Sequence, residues 1–179
     1  MTIAAYHFVG ATLRDGRPIP ADGKWLVHDG PVVICESGLH ASRRPWHALE
    51  YAPGNTLCLV ECDDVREEQA DKLVCVRRRI VQRIDAEPLL RAFARDEARR
   101  VLHLWDAPDV VRKYLDTGDE SLRAAARDAA KDAARDAAWA AAWDAAWDAA
   151  WAAAWDAAGE RFDDMIREAF AAAAAARGK

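Results

Sequence analysis

The sequence predicts an α+β protein: a small, mainly-β N-terminal domain, then a helical C-terminal region with one long Ala/Trp-rich helix. Short apolar runs separated by Gly and Pro turn residues fill the first 85 residues. After Asp85 the apolar residues follow helical spacing, and from Arg123 a four-residue repeat continues without Gly or Pro as far as Gly159. The expected organisation is an α+β domain at 1–85, linking helices at 86–118, and the long helix with a C-terminal helix at 119–179.

The N-terminal domain is expected to contain about five strands and one short helix. The strand candidates are Ile3–Val9, 24–28, 32–35, 56–62 and 73–84. An acidic loop at 63–71 is expected to join the last two strands. The helix is placed at 45–51, because Pro45 suits a first turn and Pro53-Gly54 suits an end.

Two helices are expected between this domain and the repeat. Asp85 is a suitable N-cap for the first helix, which extends to Asp106. The second begins at Asp106-Ala107-Pro108, and Gly118 is placed to end it as a C′ glycine. Its apolar face is formed by Val110, Val111, Tyr114 and Leu115.

The repeat predicts one helix from Ser121 to Ala158, because 21 of the 37 residues from Leu122 to Ala158 are alanine. A bulky row at every fourth position drifts by ~40° per repeat, so a flat partner cannot cover it. The basic first half and acidic second half would complement each other in an antiparallel pair. We therefore expect homo-oligomerisation through this row, whose members include Arg127, Lys131, Arg135, Trp139, Trp143, Trp147, Trp151 and Trp155.

Two alternatives to that assembly stay open. Slippage in a GC-rich twelve-nucleotide repeat would lengthen the tract without selection for function. The chain could also form an intramolecular bundle, with Gly159 as a helix break and a face of Phe162, Met165, Ile166 and Phe170 folding back onto the tract.

Charge and cysteine usage exclude several classes of function. The net charge of -5 argues against nucleic acid and anionic membrane partners, and aspartates inside the repeat argue against a membrane span. The short basic blocks Arg43-Arg44 and Arg77-Arg78-Arg79 are interpreted as solvated edges. Because the N-terminus lacks a signal-like segment, we expect a cytoplasmic protein with reduced cysteines. A four-cysteine zinc site is the alternative to buried thiols, but CxxC spacing is absent, so no metal and no cofactor are expected.

Four of the five histidines lie in the first 47 residues, close to aromatic residues in the sequence. Such a cluster on a small sheet could line a ligand pocket. The candidate ligand-binding residues are His7, Trp25, His40, Trp46 and His47.

Two resemblances add to these observations. The segments 36–42, 48–52 and 57–61, with the Ala/Trp/Asp tract, resemble an uncharacterised family of phage and actinobacterial proteins, which implies a mobile-element setting but no activity. Tyr6-His7 on a first strand, a Gly-Leu-x-x-Ser turn and a Tyr-Ala helix end are similar to the ADP-ribosyltransferase fold. That likeness implies NAD positioned by His7 and Tyr51, with Glu61 orienting the ribose.

The preferred function is therefore a non-catalytic, oligomeric binding protein. Its small domain would recognise a nucleotide-like small molecule or a host protein, and its helical tail would multimerise it. One alternative is an NAD-using enzyme of the ADP-ribosyltransferase type. The other is a structural assembly protein that binds no ligand.

Overall fold

The computed structural model describes residues 2–138 and 146–178, and within them the side chains of residues 2–131 and 154–178. It confirms the α+β class, since an antiparallel sheet forms in the N-terminal part and helices follow. The strands are β1 (Ile3–Val9), β2 (Trp25–Val27), β3 (Leu39–Ala41), β4 (Thr56–Glu68) and β5 (Leu73–Asp85). The helices are α1 (Pro45–Glu50), α2 (Glu87–Arg100), α3 (Asp109–Thr117), α4 (Arg123–Ala138) and α5 (Ala146–Arg177).

The strand predicted at 32–35 is wrong. Val33 and Ser37 form an isolated bridge across a tight turn, and the third strand is Leu39–Ala41 instead. Cys35 lies in that turn with φ of 67°, a left-handed conformation that extended backbone excludes. The acidic loop is also shorter than predicted, because β4 and β5 remain paired as far as Glu68 and Leu73.

The sheet is built on the long antiparallel pair of β4 and β5, and it curls round on itself. β1 pairs with the edge of β4 that faces away from β5. β2 and β3 follow one another along the edge of β5 that faces away from β4. Directly after β3, Ser42 exchanges two backbone hydrogen bonds of 2.8 and 2.9 Å with Tyr6 of β1. β3 therefore bridges β5 and β1. Register irregularities in the pairing of β4 with β5 accompany the curl, as β-bulges do elsewhere.

The inside of the curled sheet holds an apolar core that includes three of the four cysteines. Cys58, Cys62 and Cys75 are fully buried and pack with Val60 and Leu73. All four cysteines are free thiols, and only Cys35, on the exposed turn, is not buried. Within the described part of the chain, no group of three or more His, Cys, Asp or Glu side chains is arranged to hold a metal ion.

The opposite face of the sheet is covered by the C-terminal half of α5. Phe162 and Ile166 are completely buried there, and the ring of Phe170 lies 6.0 Å from that of Tyr6. Gly159 does not break the helix, because α5 runs through it. The face expected to fold back onto the repeat therefore packs on the sheet, and residues 1–87 and 159–179 form one compact unit.

Residues 88–158 form the second compact unit. Val111 and Leu115 of α3 are buried against Ala126 of α4, which confirms the apolar face predicted for the short helix. Gly118 follows α3 with φ of 66°, as expected for a C′ glycine. At the start of α2, the backbone N–H of Glu87 donates to Oδ1 of Asp85 at 3.0 Å, which confirms the predicted cap.

The alanine-rich tract is helical wherever the structure describes it, in α4 and at the start of α5. Trp139 and Trp143 lie outside the described residues, and Trp147 and Trp151 are described only as backbone. Trp155, the last of the row, is 52% exposed. No helix in the described ranges combines the length and apolar character needed to cross a bilayer.

Candidate functional site

A cavity of about 790 Å³ opens in the sheet unit, between the curled sheet and the turns that precede β2 and β3. Its walls are mostly apolar, with lining residues that include Leu13, Ile19, Leu26 and Leu39. All of its lining residues fall between Tyr6 and Arg78, so one compact unit builds the whole cavity. Its volume and apolar lining are those of a small-molecule pocket.

The turn at 12–18 forms one rim of the cavity. Leu13 donates its backbone N–H to Arg17 O at 2.9 Å, and Gly16 supplies the positive φ of 82° that the tight turn requires. Asp15 closes the turn by accepting from Nε of Arg17 at 2.8 Å. The carboxylate of Asp15 is therefore engaged within the rim itself.

His7 lies in the wall of the cavity that the sheet forms. It stands on β1 opposite Cys58, so its ring points to the same side of the sheet as the cysteine core. Burial, followed by the charges of Arg78 and His40, holds the pKa of His7 well below its usual value of 6.5. The ring is therefore neutral at pH 7. It makes no hydrogen bond with any residue that the structure describes, so both ring nitrogens are available to a ligand.

Arg78 brings a buried positive charge into this wall. Its side chain is almost completely buried, with 7% of the residue exposed, and burial lowers its pKa. Nη1 donates to the backbone carbonyl oxygen of His40. No carboxylate in the described residues pairs with it, although it lines the cavity. A guanidinium has five N–H groups, so most of its donor capacity is unused.

The prediction that all three arginines of 77–79 form a solvated edge is wrong for Arg78. Consecutive side chains on a strand point to opposite faces. Because Arg77 and Arg79 point to the outer face of the sheet, Arg78 between them points to the inner face. The guanidinium carbons of Arg77 and Arg79 lie 5.4 and 4.8 Å from the centre of the Trp25 ring on the other face. The alternation was the signal in the sequence that could have identified Arg78.

His40 connects Arg78 to the exposed turn. Its Nε2 accepts the backbone N–H of Cys35 at 3.0 Å, so in this geometry the ring proton is on Nδ1. Burial lowers the pKa of His40, and the neighbouring charge of Arg78 lowers it further. The ring therefore holds Cys35 in its left-handed conformation while the His40 carbonyl holds the arginine.

Tyr51 and Lys72 lie at the mouth of the cavity. The Tyr51 hydroxyl donates to the carboxylate of Asp71, which raises the pKa of the phenol. Lys72 Nζ donates to the same hydroxyl at 3.2 Å, and hydrogen bonds to Tyr51 and Cys35 raise the pKa of the lysine. The mouth thus carries a fixed ammonium group beside an exposed thiol. Sequence reasoning did not identify Lys72 or Cys35.

The remaining predicted site residues lie elsewhere. Trp25 packs under two arginines on the outer face, and Glu61 pairs with Arg79 there at 2.6 Å. Trp46 stands on α1 with its ring 5.7 Å from that of Phe162. His47, also on α1, has a buried Nδ1 without a partner in the described residues. The structure therefore brings together His7, His40 and Tyr51, and separates the other candidates from them.

These features define a class: an α+β domain in which a curled antiparallel sheet encloses an apolar cavity with buried basic groups. A family model described as a domain of unknown function, DUF7666, matches residues 3–92, about half of the chain. The chain belongs to this family, and every cavity-lining residue lies inside the matched segment. Neither the curated proteins nor the solved structures contain a match to this chain.

Proposed function

We propose that the N-terminal domain is a non-catalytic binding domain that holds a small organic molecule in its cavity. The observation that supports this most directly is the convergence of His7, His40 and Arg78 on one largely apolar space of about 790 Å³. Pockets of this size bury most of a drug-sized ligand, and a few fixed polar groups orient it. The nucleotide-like ligand expected from the sequence is compatible with this volume.

An ADP-ribosyltransferase activity has less support. His7 and Tyr51 do line the cavity, as that likeness implies. Glu61, however, is paired with Arg79 on the outer face and is absent from the lining. NAD consumption that disappears in a folded His7→Ala variant would favour the enzyme over the binding domain.

Cavity binding is tested by filling the space in the full-length protein. The probe is phenylnaphthylamine, a neutral dye that fluoresces when it enters an apolar site. We expect Leu13→Trp to weaken dye binding by at least about tenfold, because the indole takes up the space. The matched control is Leu104→Trp, which adds the same side chain at a position that is 71% exposed and in the other unit.

Equal dye affinity in the two tryptophan variants would overturn the proposal, as would a wild-type protein that does not bind the dye. Protection of Cys35 against N-ethylmaleimide gives a second measurement, since this exposed thiol lines the cavity. The dye should slow its alkylation in wild type and in Leu104→Trp, but not in Leu13→Trp.

Assembly through the alanine-rich helix is the second part of the proposed function. It is supported by the basic-to-acidic polarity of the tract and by the half-exposed indole of Trp155. The phage or actinobacterial setting and the cytoplasmic location remain proposals, supported by the sequence resemblance and by the free thiols respectively.

A further inference from the structure

We propose that the wall of the cavity formed by the sheet is an oxyanion subsite, in which Arg78, with His7 beside it, binds the carboxylate, sulfonate or phosphate of an organic ligand. The apolar part of that ligand would occupy the rest of the cavity. This inference rests on the proposed function and adds the chemical class of the ligand.

The first argument is the missing counterion of Arg78. Burying a guanidinium without a partner charge is costly, and a buried charge is normally paired. Here the described residues provide one carbonyl oxygen, that of His40, and no carboxylate. A ligand oxyanion that accepts from the remaining N–H groups would supply the missing charge. The planar guanidinium fork suits the two oxygens of such a group.

The cysteines near Arg78 do not replace that counterion. Burial raises the pKa of Cys58 to about 11, so this thiol is protonated at pH 7. A hydrogen bond with Cys75, followed by burial, raises the pKa of Cys62. The same hydrogen bond lowers the pKa of Cys75, but its Sγ lies 3.2 Å from the carbonyl oxygen of Leu39. A hydrogen bond to that acceptor requires the thiol proton, so this contact favours the neutral thiol of Cys75.

The second argument is the sign of the charge along the cavity. Arg14 and Lys72 line it together with Arg78, and their charges act on His40. Asp15 is already held by Arg17 in the rim. Glu36 is the other acidic group of the lining and lies on the exposed turn. The charges facing the cavity therefore favour an anion, and the apolar walls strengthen that preference by excluding water.

The third argument is the free ring of His7. It lines the cavity, and no residue that the structure describes forms a hydrogen bond with it. A neutral imidazole can donate one hydrogen bond from the nitrogen that carries the proton. An oxyanion held by Arg78 accepts this hydrogen bond from His7 as well.

The experiment compares two dyes that differ by one charged group, in the full-length protein. Anilinonaphthalene sulfonate is phenylnaphthylamine with a sulfonate added. We expect wild type to bind the sulfonate at least about tenfold more tightly than the neutral dye. Arg78→Met should abolish this preference while keeping the neutral dye, which also shows that the variant is folded. Arg77→Met, one residue along on the opposite face, should leave the preference unchanged.

Equal affinity of wild type for the two dyes would overturn the subsite, whatever Arg78→Met does to folding. A sulfonate preference that survives in folded Arg78→Met would also overturn it. In both cases a neutral dye that still responds to Leu13→Trp would leave the proposed function standing. A wild-type protein that does not bind the neutral dye in the cavity would instead refute the proposed function itself.

A displacement series tests the ligand class independently of any variant. Benzoate and phenyl phosphate should displace the bound sulfonate dye, and the more effective of the two identifies the preferred oxyanion. Benzyl alcohol, with the same ring but no charge, should not displace it at the same concentration. Equal displacement by the alcohol would overturn the oxyanion subsite.

Discussion

At the scale of single residues, Arg77, Arg78 and Arg79 show how identical side chains acquire different roles. Arg77 and Arg79 stack on Trp25, where water still screens them, whereas Arg78 is enclosed with the thiol core. The pleat of β5 makes this division, since it directs alternate residues to opposite faces. The cost of burying the Arg78 charge favours a bound oxyanion beside it.

His7 should make the stability of the protein depend on pH. Its pKa is well below 6.5 in the folded state, while the unfolded chain takes up a proton near that value. As pH falls below ~6.5 the unfolded state binds more protons, so the free energy of unfolding should fall by ~1.4 kcal/mol per pH unit until the folded pKa is reached. Urea denaturation between mildly alkaline and mildly acidic pH measures this slope.

His7→Asn removes the titrating group and should flatten that slope. His40, whose pKa is also lowered, acts in the same direction, so part of the dependence should remain. Parallel curves for wild type and His7→Asn would contradict the burial of a neutral His7 in the cavity wall.

At the scale of the elements, α1 and α5 hold each other in place. Arg44 at the N-cap of α1 makes no side-chain capping hydrogen bond. Asp163 of α5 supplies it instead, because its Oδ1 accepts the backbone N–H of Trp46 at 2.7 Å. Its Oδ2 accepts from Nε of Arg44 at 2.6 Å. A buried carboxylate thus satisfies the first turn of one helix from the middle of another.

At Gly159, α5 lies directly against the ring of Trp46. A Cβ added there would lie 2.7 Å from Cδ1 and 2.9 Å from Nε1 of the indole. Alanine normally stabilises a helix by up to about 1 kcal/mol over glycine, but overpacking costs ~1–3 kcal/mol. We therefore expect Gly159→Ala to destabilise the protein, by about 1 kcal/mol, in denaturant unfolding.

Trp46→Leu provides the matched background for that measurement. With the indole removed, Gly159→Ala should become neutral or stabilising, because the helix preference then acts alone. Stabilisation by Gly159→Ala in the wild-type background would contradict the packing of α5 on α1.

At the scale of the whole molecule, the sheet unit is made of two segments that are far apart in sequence. The family model ends at residue 92, whereas Phe162, Ile166 and Phe170 complete the core from the other end of the chain. The unit therefore needs α5 to cover one face of its sheet. The intervening residues, 88–158, form a compact unit of their own.

Assembly through the tryptophan row predicts an oligomer in solution. Light scattering after size exclusion should give a mass above that of one 19.8 kDa chain at tens of micromolar. Replacing the five tryptophans of the repeat by alanine should yield a monomer, because alanine keeps the helix and removes the bulky row. Replacing Trp25 by alanine, on the outer face of the sheet, is the control and should leave the mass unchanged.

A wild-type chain that stays monomeric at that concentration would refute assembly. It would leave the cavity proposals intact, because the cavity lies entirely within residues of the sheet unit.

Local chemistry in the sequence was enough to predict much of the fold. Short apolar runs bounded by turn residues predicted β1, β4 and β5, while Pro45, Asp85 and Gly118 located helix ends because their preferred backbone geometry is intrinsic. The strand predicted at 32–35 was wrong because tertiary contacts override the local apolar pattern there. Its apolar residues resemble a strand, but the bridge from Val33 to Ser37 and the His40 ring place Cys35 in a turn.

The sequence by itself determined the α+β class, most element positions and the histidines of the candidate site. Only the tertiary structure decided that His7, His40 and Tyr51 share a cavity, that Glu61 lies outside it, and that Arg78 is buried. Those outcomes depend on the curl of the sheet and on the return of α5 to its outer face. Both arise from contacts between residues distant along the chain, which local propensity does not encode.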